Sequence, residues 1–332
     1  MLKESMSGVR VQGIMKIAKM SVLGTFLFEG AGALLLAIRF VPLFGWGEGL
    51  YYAVFHAISA FCNAGFDLMG IYEPFCSFVP FGSDALISLT LCALILIGGI
   101  GFFVWNDIKL NGLKWKKYAL HTKLTLSGTL VLTALGTALL FLSEPGEGVL
   151  DRLLKALFGS VTARTAGFNT TDTAQMTPGG MMVTTLLMFI GGGTGSTAGG
   201  IKITTAAVLL LYAISGYRGG DRINVYRRSV DDGALKKAVL VCLTNFLLAF
   251  FGAFIICASQ GLALSDVLFE AFSAIGTVGM STGVTRSLNG VSRYVVIFLM
   301  YLGRVGSISF ALALFERRGP DVRQPIEPVN IG

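Results

Sequence analysis

Three stretches of the sequence close a short apolar run in the same way. The first reads Phe55-His56-Ala57-Ile58-Ser59-Ala60-Phe61-Cys62-Asn63-Ala64-Gly65-Phe66-Asp67. The second runs from Leu157 and ends Arg164-Thr165-Ala166-Gly167-Phe168-Asn169. The third runs from Phe269 and contains Gly276-Thr277-Val278-Gly279-Met280-Ser281. They align without gaps, and their glycines Gly65, Gly167 and Gly279 stand 102 and 112 residues apart. A recurrence at that period is an internal duplication. The chemistry it could perform is carried by the backbone. A short helix directed into a membrane aims its C-terminal, negative dipole end at the centre. An extended stretch behind it can offer carbonyl oxygens to a dehydrated cation. Glycine suits that stretch because it adopts positive φ without strain and lets segments crowd a narrow axis.

The elements that must position these stretches follow from composition. Of 332 residues, 54% are hydrophobic and only 14% charged, and mean hydropathy is +0.72. A soluble domain carries about 25% charged residues, so a soluble enzyme, a disordered chain and a collagen-like fibre are excluded. A helix needs ~20 apolar residues to span a bilayer. Six runs meet that length: Met20–Ile38, interrupted by Glu29; Ala85–Asn106; Leu124–Ser143; Thr173–Ile201, continuing past Lys202 to Tyr217; Ala238–Ser265; and Tyr294–Phe315, broken by Arg304. Between the members of each pair lie the shorter segments 50–61, 149–163 and 266–276, which read as re-entrant half-helices. The fold class expected is an all-α polytopic membrane protein built as helix, half-helix, helix, three times over. Counting Lys and Arg, 18 of 26 fall on the side of the two termini, which predicts cytoplasmic termini and half-helices entering from outside. The net charge of +7 thus reads as orientation rather than as a nucleic-acid footprint.

Residues 191–200, Gly191-Gly192-Gly193-Thr194-Gly195-Ser196-Thr197-Ala198-Gly199-Gly200, hold six glycines. Each costs ~1 kcal/mol against alanine in a helix, so the fourth run must break there, and broken backbone at that depth has to line a cavity. Lys202 follows directly. A dinucleotide-type phosphate loop would need a preceding strand, which the sequence lacks. Arg304 sits in Tyr301-Leu302-Gly303-Arg304-Val305-Gly306, where a charge costs ~2.5–3.5 kcal/mol; it must face water or a partner, with Glu29 an alternative partner. Arg164 is expected to point backward and brace its loop. Glu48, Asp67, Glu73, Asp84, Glu144, Glu147, Asp151, Asp172, Asp266 and Glu270 fall on the outer side, where they would concentrate cations or form a solvated face. Asn169-Thr170-Thr171 scores as a glycosylation sequon but stands in the second turn. The five cysteines show no paired spacing, His56 and His121 are far apart, and no acid–base pair or metal cluster is evident at membrane depth. The chain is expected not to be an enzyme.

Taken together these motifs resemble the Trk/Ktr/HKT superfamily of potassium transporters, most closely the bacterial Ktr-type membrane (pore) subunit. The resemblance rests on residues 55–67, on Thr162-Ala163-Arg164-Thr165-Ala166-Gly167-Phe168-Asn169-Thr170, on Gly195-Ser196-Thr197-Ala198-Gly199-Gly200-Ile201-Lys202 and on Thr277-Val278-Gly279-Met280-Ser281-Thr282-Gly283. It implies a four-repeat, K⁺-channel-like pore, with K⁺ as substrate and Na⁺ as a coupling or activating ion. The K⁺ filter would be Asn63, Ala64, Gly65 and Phe66, then Thr165, Ala166, Gly167 and Phe168, then Thr277, Val278, Gly279 and Met280. Residues 191–200 with Lys202 would be the gate loop and Arg304 the pore barrier. No tightly bound cofactor and no metal beyond K⁺ in transit are implied. The partners implied are a second copy in a homodimer, a cytosolic ring of nucleotide-binding regulatory subunits, and the lipid bilayer of a bacterial cell membrane.

The family has four repeats and this sequence carries three. Residues 20–108, 109–217 and 218–316 match repeats two, three and four, the middle one with a broken second helix. Residues 1–19 read as a cytoplasmic linker and 317–332 as a cytoplasmic tail. A filter of four sides does not close with three. The expectation is a fragment lacking the first repeat; the alternative is a non-conducting membrane scaffold that needs another chain or the missing repeat to form a pore.

Overall fold

The computed structural model describes residues 11–146, 148–220 and 223–306. The expected tail 317–332, the first ten residues of the linker 1–19, Glu147 and the end of the sixth apolar run lie outside the described residues. The chain is predominantly helical. In order it forms α1 (Val11–Phe61), α2 (Ala85–Ile100), α3 (Phe102–Asn111), α4 (Leu120–Ser143), α5 (Val149–Thr162), α6 (Pro178–Phe189), α7 (Ile203–Tyr217), the two-residue strands β1 (Asn224–Val225) and β2 (Arg228–Ser229), α8 (Asp232–Gln260), α9 (Leu264–Gly276) and α10 (Gly290–Val305).

α1 is two arms. Gly45 has φ 81° and ψ 172°, which no helix contains, and Pro42 lies just before it. The arms meet so closely that a Cβ on Gly49 would stand 2.5 Å from the carbonyl oxygen of Phe40. The second arm, 46–61, is the first short helix; α5 and α9 are the other two. α5 and α9 are amphipathic, as befits helices packed on one side but not long enough to cross.

Among the described residues, helices long and apolar enough to span a bilayer lie within Met15–Phe61, through the first arm of α1, and at Leu120–Ser143 and Asp232–Gln260. They leave large apolar side chains uncovered, among them Phe26, Leu34, Leu130, Phe251 and Phe254. Such a belt suits contact with lipid or with another membrane helix. The buried core lies behind it. Leu36, Phe40, Ala57 and Phe61 of α1 pack with Leu91 and Leu94 of α2 and with Phe158 and Val161 of α5. Ala249, Ala253 and Ile256 of α8 pack with Val267 and Ile275 of α9 and with Leu299 of α10.

The uncharged run Ala85–Asn106, expected as one span, is bent by 89° between α2 and α3. The cause is Gly101, at φ 98° and ψ 146°. The run from Thr173 breaks as expected. α6 starts at Pro178, capped by the Thr177 hydroxyl accepting from the Gly180 N–H, and ends before the glycine-rich loop. α10 likewise ends at Gly306, φ 87°. α2 and α10 therefore stop at a glycine, and α6 stops at Ile190, one residue before one.

Candidate cation site

The three glycine turns share positive φ at two matched positions. Two residues before each glycine stands a left-handed residue: Asn63 (φ 50°), Thr165 (φ 75°) and Thr277 (φ 54°). The glycines follow at φ 72°, 92° and 91° for Gly65, Gly167 and Gly279. Left-handed non-glycine residues are uncommon and costly, so three at matched positions indicate a conformation the surroundings impose. The imposition is visible in the hydrogen bonds. The N–H groups of Ala64, Ala166 and Val278 donate back to the carbonyls of Ser59, Thr162 and Ser273 at 2.9, 3.0 and 2.9 Å. The hydroxyls of Ser59, Thr162 and Ser273 in turn donate to the carbonyls of Phe66, Phe168 and Met280 at 2.7, 2.7 and 2.6 Å. Each turn is thus stitched to the end of its own short helix.

The turns also nest against each other. The Asn63 side-chain amide donates to the Thr165 hydroxyl at 3.1 Å. A Cβ on Gly65 would collide with the carbonyl oxygen of Ala166, and one on Gly167 would collide with that of Val278. Among the described residues, no atom lies within 4 Å of where the Cβ of Gly279 would stand. The arrangement is a row of three turns whose last member presents an open side. Carbonyl oxygens so fixed are hard ligands suited to an alkali cation, and the negative ends of the 46–61 arm, α5 and α9 lead into them. A cavity of about 360 Å³ is lined by Gly65, Gly167 and Gly279 together with Asp67, Asp172 and Arg286. The Arg286 guanidinium lies 4.1 Å from the centre of the Phe75 ring, which also lines that cavity.

The glycine-rich loop and the α2–α3 bend are joined by hydrogen bonds. The bend frees the last carbonyls of α2 and the first N–H of α3. The N–H groups of Gly193 and Thr197 donate to the carbonyls of Gly99 (2.7 Å) and Gly98 (3.4 Å), and the Phe102 N–H donates to the Gly195 carbonyl (2.9 Å). The loop closes on itself through Gly191 N–H to Ile201 O (2.8 Å) and Ile203 N–H to Gly192 O (3.0 Å). Its close approach requires glycine: a Cβ at Gly192 would stand 2.6 Å from the Gly99 carbonyl oxygen. The Thr197 hydroxyl reaches the Phe61 carbonyl at 3.1 Å, so the loop sits against the end of the first short helix.

Two cations hold this loop. Lys202 donates to the carbonyls of Ala198 (2.7 Å) and Gly199 (3.3 Å). Arg304 donates to the carbonyl of Thr197 at 3.2 Å. Glu29 accepts from the Cys62 thiol at 3.8 Å, and among the described residues it forms no ion pair with Arg304. Arg164 is buried, and its guanidinium points away from the turn, donating to the Thr133 hydroxyl (2.7 Å) and the Ser160 carbonyl (3.3 Å).

The outer acids do not act as one ring. Asp84 pairs with Arg39 at 2.6 Å and caps α2; Asp151 pairs with Lys155 at 2.7 Å; Glu144 accepts from Thr177. Glu270, grouped with them in sequence, is buried within α9. Of the described acids, Asp67 and Asp172 line the cavity beside the turn glycines. Within the sequon Asn169 is partly buried, Thr170 buried and Thr171 exposed. Sequence reasoning passed over Gly98, Gly99 and Gly101, whose clustering was the available signal for the second break. It also passed over the roles of His56 and Glu270, for which residue type alone gave no signal.

Known proteins are similar to this chain in sequence and in fold. Residues 1–317 match the TrkH family, described as a cation transport protein. Ktr system potassium uptake protein B of Bacillus subtilis is 37% identical over all of this chain and 75% of its own length. Potassium/sodium uptake protein NtpJ of Enterococcus hirae is 34% identical, again over all of this chain and 75% of its own. The crystal structure of the potassium transporter TrkH from Vibrio parahaemolyticus superposes with a TM-score of 0.72 at 17% identity, covering 93% of this chain and 66% of that one. That structure shares the fold.

Proposed function

The chain belongs to the TrkH cation transport family, and from that premise we propose that it is the membrane subunit of a potassium uptake system. K⁺ passes a filter made by the carbonyls of residues 63–66, 165–168 and 277–280. The observation that carries this reading is the matched backbone of the three turns, left-handed at Asn63, Thr165 and Thr277 and again at the glycines. The names of the relatives, a potassium uptake protein and a potassium/sodium uptake protein, agree with it. On this reading residues 20–108, 109–217 and 218–316 are three repeats of one pore unit. Both termini lie in the cytoplasm, and Na⁺ is a coupling or activating ion.

Residues 191–200 close the pathway below the filter. Arg304 and Lys202 place positive charge there and hold the loop by its carbonyls. Displacing the loop opens the pathway and moves the charge. A second copy of the chain and a cytosolic ring of nucleotide-binding subunits, docking on the basic inner loops, complete the system.

A second reading is favoured by one observation, the open side at Gly279. Three turns surround an axis on three sides only. The chain alone is then a non-conducting scaffold, and a fourth turn, in the same or another polypeptide, makes it a pore. Potassium uptake in cells that lack their own uptake systems separates the two. Uptake by the chain alone would sink the scaffold reading. Uptake that appears when a helix–half-helix–glycine segment is co-expressed supports a pore with four sides. Failure of every such combination would overturn the transport reading itself.

A further inference from the structure

Nine residues before each turn glycine stand His56, Phe158 and Glu270. All three are buried. Phe158 belongs to the apolar core. The other two reach past the turn and hold the chain that leaves it. The His56 ring bonds through Nδ1 to the Tyr52 carbonyl at 2.7 Å, and its Nε2 accepts the Leu68 N–H at 3.0 Å. Those partners fix the tautomer: a carbonyl only accepts and an N–H only donates, so the proton is on Nδ1. Glu270 accepts from the hydroxyls of Ser281 (2.8 Å) and Thr285, and Ser281 Oγ accepts the Gly283 N–H at 3.0 Å. Among the described residues neither group forms an ion pair.

We propose that His56 and Glu270 are positioning residues for cation selection. The inference rests on the reading of the glycine turns as a filter. The chain beyond Gly65 is anchored to its own short helix twice, by Ser59 at Phe66 and by His56 at Leu68. The chain beyond Gly279 is anchored likewise, by Ser273 at Met280 and by Glu270 at Ser281 and Thr285. Where Phe158 offers no polar atom, the anchor comes from another segment: the Asn169 N–H donates to the Ser77 hydroxyl at 3.1 Å. Successive anchors along the segment that leaves the turn restrain its carbonyls, and restrained ligands discriminate cations of different size. A single anchor leaves a hinge at the glycine. The second anchor is therefore a determinant of selectivity rather than of folding alone.

The test uses His56→Leu, His56→Gln, Glu270→Leu and Glu270→Gln in whichever uptake system the preceding experiment establishes, with Phe158→Leu as the apolar control. Two quantities are read: amide exchange by mass spectrometry, and the ratio of K⁺ to Na⁺ uptake. Removing one hydrogen-bond partner is expected to accelerate exchange over residues 66–71 or 280–286 about tenfold. The uptake ratio is expected to fall about tenfold in the Leu variants, consistent with a hydrogen bond worth one decade, and to recover in part in the Gln variants, which retain an acceptor oxygen. Unchanged protection in α4 and α8 verifies the fold; if a Leu variant loses it, the Gln variant of that site is compared with Phe158→Leu instead. A ratio unmoved by the His56 and Glu270 variants, while Gly167→Ala shifts it, overturns this proposal and leaves the filter reading standing. A ratio unmoved by Gly167→Ala as well overturns both.

Discussion

Replacing Gly167 and Gly279 by alanine separates two effects that usually act together. The two glycines have nearly the same backbone angle, φ 92° and 91°. An alanine at either meets the same conformational penalty, about 1–3 kcal/mol. Their surroundings differ. At Gly167 the new methyl would overlap the Val278 carbonyl oxygen, whereas at Gly279 it meets none of the described residues within 4 Å. Backbone cannot swing aside as a side chain does, so Gly167→Ala carries an overpacking cost of about 1–3 kcal/mol that Gly279→Ala escapes. Reversible unfolding of the purified chain in detergent micelles, followed by circular dichroism, measures the difference directly. Gly65→Ala, facing the Ala166 carbonyl, should fall with Gly167→Ala. When a fourth segment is bound beside Gly279, the advantage of Gly279→Ala should disappear, because the methyl would then have a neighbour. Equal destabilisation of Gly167→Ala and Gly279→Ala in the isolated chain would refute the nesting of the turns.

Two further outcomes concern the buried and loop-bound cations. Arg304→Gln removes the charged donor from the Thr197 carbonyl; amide exchange over residues 191–200 should rise about tenfold, and unaltered exchange would count against Arg304 as the pin of the loop. Thr133→Val leaves the Arg164 guanidinium short of its side-chain acceptor, which should destabilise the chain by about 1–3 kcal/mol in the same unfolding experiment; no loss would mean that Arg164 finds another partner.

Much of the backbone of the candidate site was legible because it depends on glycine. Gly65, Gly167 and Gly279 announce positive φ, and all three have it. The break at 191–200 was legible for the same reason, since six glycines do not propagate a helix. The bend at Gly101 was not. Ala85–Asn106 is apolar without a charge, and hydropathy measures only transfer into lipid, so it is blind to an 89° change of direction. Side-chain depth was illegible too. Glu270 and Asp67 look alike as outer acids, yet one is buried against two hydroxyls and the other lines the cavity. His56, Phe158 and Glu270 hid an equivalence of place behind three unlike residue types.

The pairing of the glycine-rich loop with the α2–α3 bend has a consequence for how any passage could open. The Gly193 and Phe102 N–H groups each satisfy a carbonyl that the other broken segment exposes. Pulling the loop away orphans polar groups on both partners at once, and in an apolar setting each orphan costs several kilocalories per mole. Only water can take over those bonds at little cost. On the proposed reading of this loop as the gate, opening and wetting are a single event: the loop is released by solvent that enters with it, and a dry passage is a shut one.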